Sequence, residues 1–382
     1  MTKNVLADNP VYVVGIGFHR YQRTSSQSYV SLGLAATREA LKDADIGWPG
    51  IEVAYTGTAM LGMGASRIML SRLGATGIPM TQVENASASG SSAVALASLE
   101  IASGKSDIAL ALGVDKQSGG LGAAPARAGI NNLEAGAIAP FTHFALLASE
   151  YMHLHGTKPE QVAAVAFKNH RNGANNPYAQ RQKHRSLEEI MREPISGSLT
   201  RLQCCPVGEG AAAVILASEA GIKKLGIDKN RSVKILSSVT RTEGLYPPGD
   251  GIDAALTAET ARLAFNQSSV EPSEIDVLEV HDAFSIEELL YAEALGITKP
   301  GETASLIQSG NLDIGGKCAI SPSGGLLAMG HPIGPTGVGQ IAEITRQLRG
   351  EAGVRQQPNA QTALAHMVGI GAVCVVHVLQ KN

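Results

Sequence analysis

Near-continuous apolar runs alternate along this chain with segments of helical period, and the alternation predicts a large α/β protein. Val11 to Gly15 (VYVVG) has the pattern of a buried strand, followed by a predicted glycine turn at Gly15-Ile16-Gly17. Apolar positions over Ser31 to Ala44 recur at helical spacing, and Ile51 to Gly57 and Ile78 to Val83 are short strand patterns. Ser91 to Ser103 (SSAVALASLEIAS) predicts a buried helix, and Asp107 to Asp115 (DIALALGVD) a second continuous strand. Strand, helix and strand in this order predict parallel neighbours joined by a right-handed crossover.

From Lys116 to about Gln203 the character changes. The segment is polar, with helical patterns at Phe144 to Leu154 and Glu160 to Asn172 and a basic cluster, Arg181-Gln182-Lys183-His184-Arg185. It reads as an inserted lobe, and the cluster as either a solvated helix face or an anion contact. Ala211 to Ala217 returns to core strand. Val233 to Val239 then restarts the first pattern, followed by a helix (Ala254 to Phe265), a strand (Asp276 to Val280) and a helix (Ile286 to Leu295). A glycine-rich loop at 321–337, a helix (Val338 to Leu348) and two strands (Ala363 to Val368, Ala372 to Leu379) complete it. The expected fold class is α/β, with two similar βαβαβ-type halves facing each other. Residues 1–235 form the first, including the lobe at about 117–203, and residues 236–382 the second.

At 382 residues the chain exceeds one simple core. Its 43 glycines and 17% charged residues suit a buried-sheet enzyme with many tight connections. A net charge of −3 and 4% aromatic residues give no support for nucleic acid or an anionic membrane as partner. The first residues, MTKNVLADNP, lack the apolar core of a signal peptide, and no apolar run reaches membrane-span length. The four cysteines (204, 205, 318, 374) have no metal-ligand spacing and are too few for a disulfide framework, so no metal is expected and the cytoplasm is the default location.

Candidate chemistry centres on Val83 to Ser92, where a strand leads through a turn of small residues into a helix. Such a turn aims backbone N–H groups and the helix dipole at whatever sits on it. Alone, such a stretch is more often an ordinary tight turn. Three more loops should lie near it: Val280-His281-Asp282-Ala283-Phe284, Gly330 to Gly337 (GHPIGPTG), and His366 to Gly371 (HMVGIG). In open α/β sheets ligands collect at the C-terminal ends of strands, where these loops fall. A lone histidine there is more often structural; two on converging loops raise the prospect of acid–base work.

These motifs together resemble those of the thiolase superfamily, over essentially the whole chain. The similarity is greatest to the sterol-carrier-protein-type and archaeal-type thiolases. Their nucleophile motif, close to E-N-A-C-A-S-G-S, is similar to Glu84-Asn85-Ala86-Ser87-Ala88-Ser89-Gly90-Ser91. Tyr151-Met152 with Gly156-Thr157, Asn176 to Gln180 (NPYAQ), and Cys204 to Ala212 (CCPVGEGAA) resemble the same group. So do the H-D-x-F loop at His281 to Phe284 and the G-H-P loop at Gly330-His331-Pro332. The resemblance implies a thiolase fold, a layered α/β/α/β/α sandwich. It implies residue 87 as acyl-accepting nucleophile, His331 as its base, and His281 with His331 as the groups polarising the second thioester oxygen. The backbone N–H of residue 87 and one from Gly369-Ile370-Gly371 would form an oxyanion hole. It further implies coenzyme A thioester as substrate with no permanently bound cofactor, and acetyl-CoA acetyltransferase-type C–C bond formation or cleavage. Coenzyme A would lie against the lobe, with Arg181, Lys183 and Arg185 as its candidate contacts. A homodimer or tetramer is implied, and a small zinc-ribbon/OB-fold partner protein often accompanies this branch.

Two departures stand out. Position 87 holds Ser instead of Cys, and the second thiolase cysteine is absent: its place in H-D-C-F is Ala283, and in C-x-G it is Ala365-His366-Met367. A helix N-terminus supplies roughly 0.3–2 kcal/mol, about one pK unit, enough to help a thiol near 8.5 ionise but not a hydroxyl. Ser87 would therefore need His331 as a true general base during attack. One reading is a Cys→Ser change in an otherwise intact site. Another is chemistry that dispenses with the acyl-enzyme, an aldol-type C–C lyase acting on a CoA thioester. A third is a non-catalytic acyl-CoA-binding subunit, which would not need both histidines.

Overall fold

The structure is a computed structural model that describes residues 4–117, 140–245, 252–369 and 373–382. Ten strands form its large mixed sheet. They are β1 (Val11–Gln22), β2 (Val53–Gly57), β3 (Met80–Val83), β4 (Ile108–Asp115), β5 (Glu209–Ala217), β6 (Val233–Thr242), β7 (Val277–Glu279), β8 (Ala319–Ile320), β9 (Thr362–Gly369) and β10 (Val373–Lys381). In space they run β8-β7-β9-β10-β6-β1-β5-β4-β2-β3.

The two ends of this sheet follow one plan. Each half orders its own strands third, second, fourth, fifth, first, with the first two pairings parallel and the last two antiparallel. The halves meet where β1 runs antiparallel to β6 over Val11 to Val13. Strand–helix–strand repetition in the sequence is thus a duplication of topology.

The main helices are α1 (Tyr29–Asp43), α2 (Ser89–Ala102), α3 (Pro140–His155), α4 (Pro159–Ala174), α5 (Ile252–Ser268), α6 (Ser285–Ala294), α7 (Gly325–Met329) and α8 (Thr336–Arg349). They form three apolar slabs. Leu32 and Leu41 of α1 cover one face of the first half, meeting Leu110, Leu112 and Ile215. Val94, Ala97 and Ile101 of α2 share the central slab with Val338, Ile341 and Ile344 of α8. Helices α3 to α6 cover the outer face of the second half, around Leu278, Leu364 and Val376. Both strand faces are therefore buried, which is why β4 and β9 read as unbroken apolar runs. Alternate residues still differ: Ala109, Ala111, Ala363 and Ala365 face the central slab, Leu110, Leu112 and Leu364 the outer ones. Small inward side chains leave room for α2 and α8. The result is the expected α/β/α/β/α layering.

Several local expectations change. Gly15 and Gly17 make no turn; β1 runs straight through them. A Cβ would lie 2.5 Å from the Ala40 carbonyl oxygen at Gly15 and 2.1 Å from that of Ala36 at Gly17, so both mark the contact of α1 with the strand. Strands β3 and β4 are parallel but not adjacent, because β2 pairs with both. The loop at 321–337 contains α7, and His366 lies within β9 and not on a loop. Within the lobe, α3 and α4 pack on the second half through Ala148, Tyr151 and Val162, although they belong to the first half in sequence.

Candidate active site

The turn after β3 is built by its own hydroxyls. The Asn85 N–H donates to Ser89 Oγ (2.9 Å), and the Ser89 hydroxyl donates to the Ala86 carbonyl (2.6 Å). The Asn85 amide reaches Ser92 Oγ at 2.9 Å, tying the turn to the first turn of α2. Ala86 is held at φ +49°, a left-handed conformation that costs a non-glycine residue and recurs at functional sites. This strained step presents Ser87 two residues ahead of α2.

Helix α8 starts beside α2. A Cβ at Gly90 would sit 2.3 Å from the Gly334 carbonyl oxygen, and one at Gly337 2.1 Å from Ser91 Oγ, so the two helix starts touch through glycine. The loop before α8 is anchored across the halves by Asp115, at the end of β4. Its Oδ2 accepts the Gly334 N–H (2.7 Å), while Oδ1 takes the Thr58 hydroxyl and the Met60 N–H (2.9 Å). Burial raises this carboxyl to about 6 against those bonds.

Ser87 and His331 are consequently partners: Ser87 Oγ lies 3.0 Å from His331 Nε2. His331 Nδ1 lies 2.9 Å from Thr336 Oγ1, and the His331 N–H donates to the Pro206 carbonyl (3.0 Å). Burial, and then the neighbouring His281, hold the His331 pKa well below the usual imidazole value. The ring is neutral, and these contacts assign Nδ1–H as donor to Thr336 and Nε2 as acceptor for the serine hydroxyl. It is set to act as a base.

His281 stands edge-on to His331, with ring centroids 5.4 Å apart. Its Nδ1 is 3.0 Å from Glu287 Oε1, and the other oxygen of Glu287 accepts the Phe284 N–H (2.7 Å), fixing loop and ring together at the start of α6. His281 Nε2 is buried with no hydrogen-bond partner in the structure, which leaves it available to a substrate oxygen. Next to it, Asp282 accepts from Leu326 N–H and the Asn169 amide, both at 2.6 Å, and Lys168 pairs with Glu288 at 3.0 Å. Burial, reinforced by Glu288, raises the Asp282 carboxyl well above its ordinary value.

His281, His331 and Ser87 thus come together. Gly369 reaches them too: a Cβ there would lie 2.5 Å from the Asn85 carbonyl oxygen. Ile370 and Gly371 lie outside the described residues. The basic cluster does not act as a unit. Arg181 turns inward and donates to the Cys204 and Leu327 carbonyls, both at 2.9 Å, bracing α7 just before His331. Lys183 and Arg185 both face Glu189, at 3.9 and 3.4 Å.

Sequence reasoning missed Glu287, and it quoted Thr336 and the 205–206 segment within motifs without giving either a place in the site. The Cys205 N–H donates to the Ala283 carbonyl (2.7 Å), so this segment sits between the two histidine loops. Burial pushes the Cys205 thiol far above its usual range, unlike a nucleophilic cysteine. Glu287 was recoverable as the acidic third residue of a helix following H-D-x-F, a capping position. Among the described residues no group of His, Cys, Asp and Glu has the arrangement of a metal site, and no helix is long and apolar enough to cross a membrane.

Comparison with known proteins bears on the family and the fold. The family model "Thiolase, N-terminal domain" matches residues 15–220, and "Thiolase C-terminal domain-like" matches residues 250–381. The chain is 40% identical to sterol carrier protein 2 of Oryctolagus cuniculus, over 96% of this chain and 71% of that one. It is 34% identical to an acetyl-CoA acetyltransferase of Methanothermobacter thermautotrophicus, over 97% and 99% of the two chains. Among solved structures it is similar to one titled "Ltp2-ChsH2(DUF35) aldolase", with a TM-score of 0.80 over 98% of both chains and 23% identity, a likeness of fold.

Proposed function

This chain belongs to the thiolase family, and from that premise we propose that it is an acyltransferase acting on coenzyme A thioesters, with its acyl-accepting position at residue 87. One observation carries the reading: the 3.0 Å contact between Ser87 Oγ and the buried His331 Nε2 at the head of α2. The thioester carbonyl would meet residue 87 there, with an oxyanion hole from the residue 87 N–H and the Gly369-Ile370-Gly371 loop. His331 takes the proton from residue 87, and His281 polarises the second thioester oxygen through its unpartnered Nε2. Lys183 and Arg185 remain the candidate contacts to the coenzyme A phosphates; Arg181, with its guanidinium on two carbonyls, serves the scaffold. No bound cofactor is needed for this chemistry.

A second reading is favoured by the absence of a thiol at both 87 and 283. A Cys-independent C–C lyase on a CoA thioester needs an acid, a base and an oxyanion hole, the parts proposed here for His281, His331 and the residue 87 turn with the Gly369-Ile370-Gly371 loop. The retained histidine pair speaks against a merely acyl-CoA-binding subunit. A second copy of the chain is the proposed partner, at the β3 edge of the sheet, where Met63, Ile68, Leu96 and Leu99 are exposed. A small zinc-ribbon/OB-fold protein is the further partner to seek.

Ser87→Cys separates the readings. Under acyl transfer, the variant incubated with acetyl-CoA acquires an acyl adduct on residue 87 visible by mass spectrometry, and turnover rises by several orders of magnitude. No adduct and no turnover across a panel of acyl-CoA thioesters, in a protein that still binds coenzyme A, sinks acyl transfer and leaves the lyase.

A further inference from the structure

Behind His331, on the side away from Ser87, lies a cavity of about 20 Å³ whose walls include Tyr21, Glu279, Ser323, Thr336, Gln340 and Glu343. Every one of these residues is buried. The volume is that of one water, and a water needs two to four polar partners to reside there. Three are in place. Gln340 spends its amide N–H on the His366 carbonyl (3.1 Å), while its Oε1 is buried with no partner. Thr336 accepts from His331 Nδ1–H, which leaves its own hydroxyl proton to be donated onward. Glu279, the one charged residue of β7 among apolar neighbours, accepts among the described residues only from Ser323, by its N–H (2.9 Å) and its hydroxyl (2.7 Å).

We propose that this cavity holds an ordered water joining Glu279 and Gln340 to the Thr336 hydroxyl, so that the Glu279 carboxyl sets the basicity of His331 from behind. Glu279 is then a positioning residue, the far end of a carboxyl–water–hydroxyl–imidazole chain. It has the logic of a triad in which a third group orients the base. Burial, and then the Glu343 carboxylate, raise the Glu279 pKa to about 8. The charged and titratable groups facing it are Glu343 and Arg355, paired with each other, Tyr21 on β1, and Asp282. Below about pH 8 the neutral acid donates to the water. Above it the carboxylate accepts from the water, the water accepts from Thr336, and the Thr336 oxygen holds the His331 Nδ1–H more firmly. Basicity at Nε2 rises with that change.

The proposal rests on His331 as the base, and its test uses no substrate, so it fails or stands apart from the Ser87→Cys experiment. In histidine-labelled full-length protein, the His331 ring signal, assigned by its loss in His331→Asn, should shift with a midpoint near pH 8 although the ring stays neutral. That step should vanish in Glu279→Gln, which keeps shape and hydrogen bonding. It should vanish also in Gln340→Leu, which removes the water's acceptor but leaves Glu279 titrating. A high-resolution crystal structure should show the water within hydrogen-bond reach of Gln340 Oε1 and Thr336 Oγ1. The idea is overturned by a wild-type His331 signal flat from pH 6 to 9.5, by a step that survives in either folded variant, or by a dry cavity.

Discussion

The two halves share one strand order yet contribute unlike chemistry. The first half brings a turn of Ser, Ala and Gly ahead of α2, and its buried carboxylate Asp115 is consumed by donors from Thr58, Ala59 and Met60 of its own half and from Gly334 of the other half's loop. The corresponding connections of the second half carry His281, Asp282, Glu287 and His331, with Glu279 just beneath. Both present a helix N-terminus to one point, but only the second half stores protons there. Duplication supplied a symmetric scaffold; the asymmetry lies in which copy was loaded with titratable groups.

The largest expected effect tests that division. In the Ser87→Cys protein, adding His331→Ala should slow acyl-adduct formation from acetyl-CoA by roughly 10²–10⁴-fold, the usual worth of a general base. Adduct formation at an unchanged rate would show that the first half's turn suffices alone. Next comes the ion cluster that the lobe helix α4 and the second half form together. Lys168→Met leaves Glu288 and Asp282 buried without their cation and should cost about 3–5 kcal/mol in urea unfolding. A cost below about 1 kcal/mol would mean the cluster is already neutral.

A pH-dependent difference should be smaller. The Glu279 carboxyl ionises near 8 when folded and near its ordinary 4.5 when unfolded. Between those values the unfolded chain has released a proton that the native state retains, so stability falls as pH rises and levels off above about 8. Wild type should therefore lose about 2–3 kcal/mol relative to Glu279→Gln between pH 6 and 9. Parallel pH profiles of unfolding for the two proteins would refute it. Smallest of all, replacing exposed Lys183 and half-buried Arg185 by Ala should raise the KM for a CoA thioester a few-fold with kcat unchanged, and an unmoved KM would leave neither in contact with coenzyme A.

Strands and central helices were legible because both faces of β4, β5, β9 and β10 are buried, which leaves a plain apolar run in the chain. The Ser87–His331 pairing was legible only through motif resemblance, since 244 positions separate the two residues and spacing says nothing about contact. What sequence alone could not disclose was partnership. Gly15 and Gly17 look like a turn until α1 is laid against them. Arg181 looks like a free cation until the Cys204 and Leu327 carbonyls appear. Glu279 offered a signal that was passed over: a charge inside a buried strand demands a reason. His366 offered the same signal in β9, and there the reason is structural, with Nε2 3.0 Å from the Thr257 hydroxyl.

The shared central slab has a consequence during synthesis. Helix α2 and the central faces of β4 and β5 find their cover partly in α8, which is made more than two hundred residues after β4 and more than one hundred after β5. A ribosome-bound chain that has emitted only the first half must carry that apolar surface uncovered, with β3 unpaired along its edge. Contacts so distant in sequence fold slowly, and the waiting intermediate is the aggregation-prone species. Expression of the first half alone should thus give an insoluble or chaperone-bound product, however complete its own five strands are.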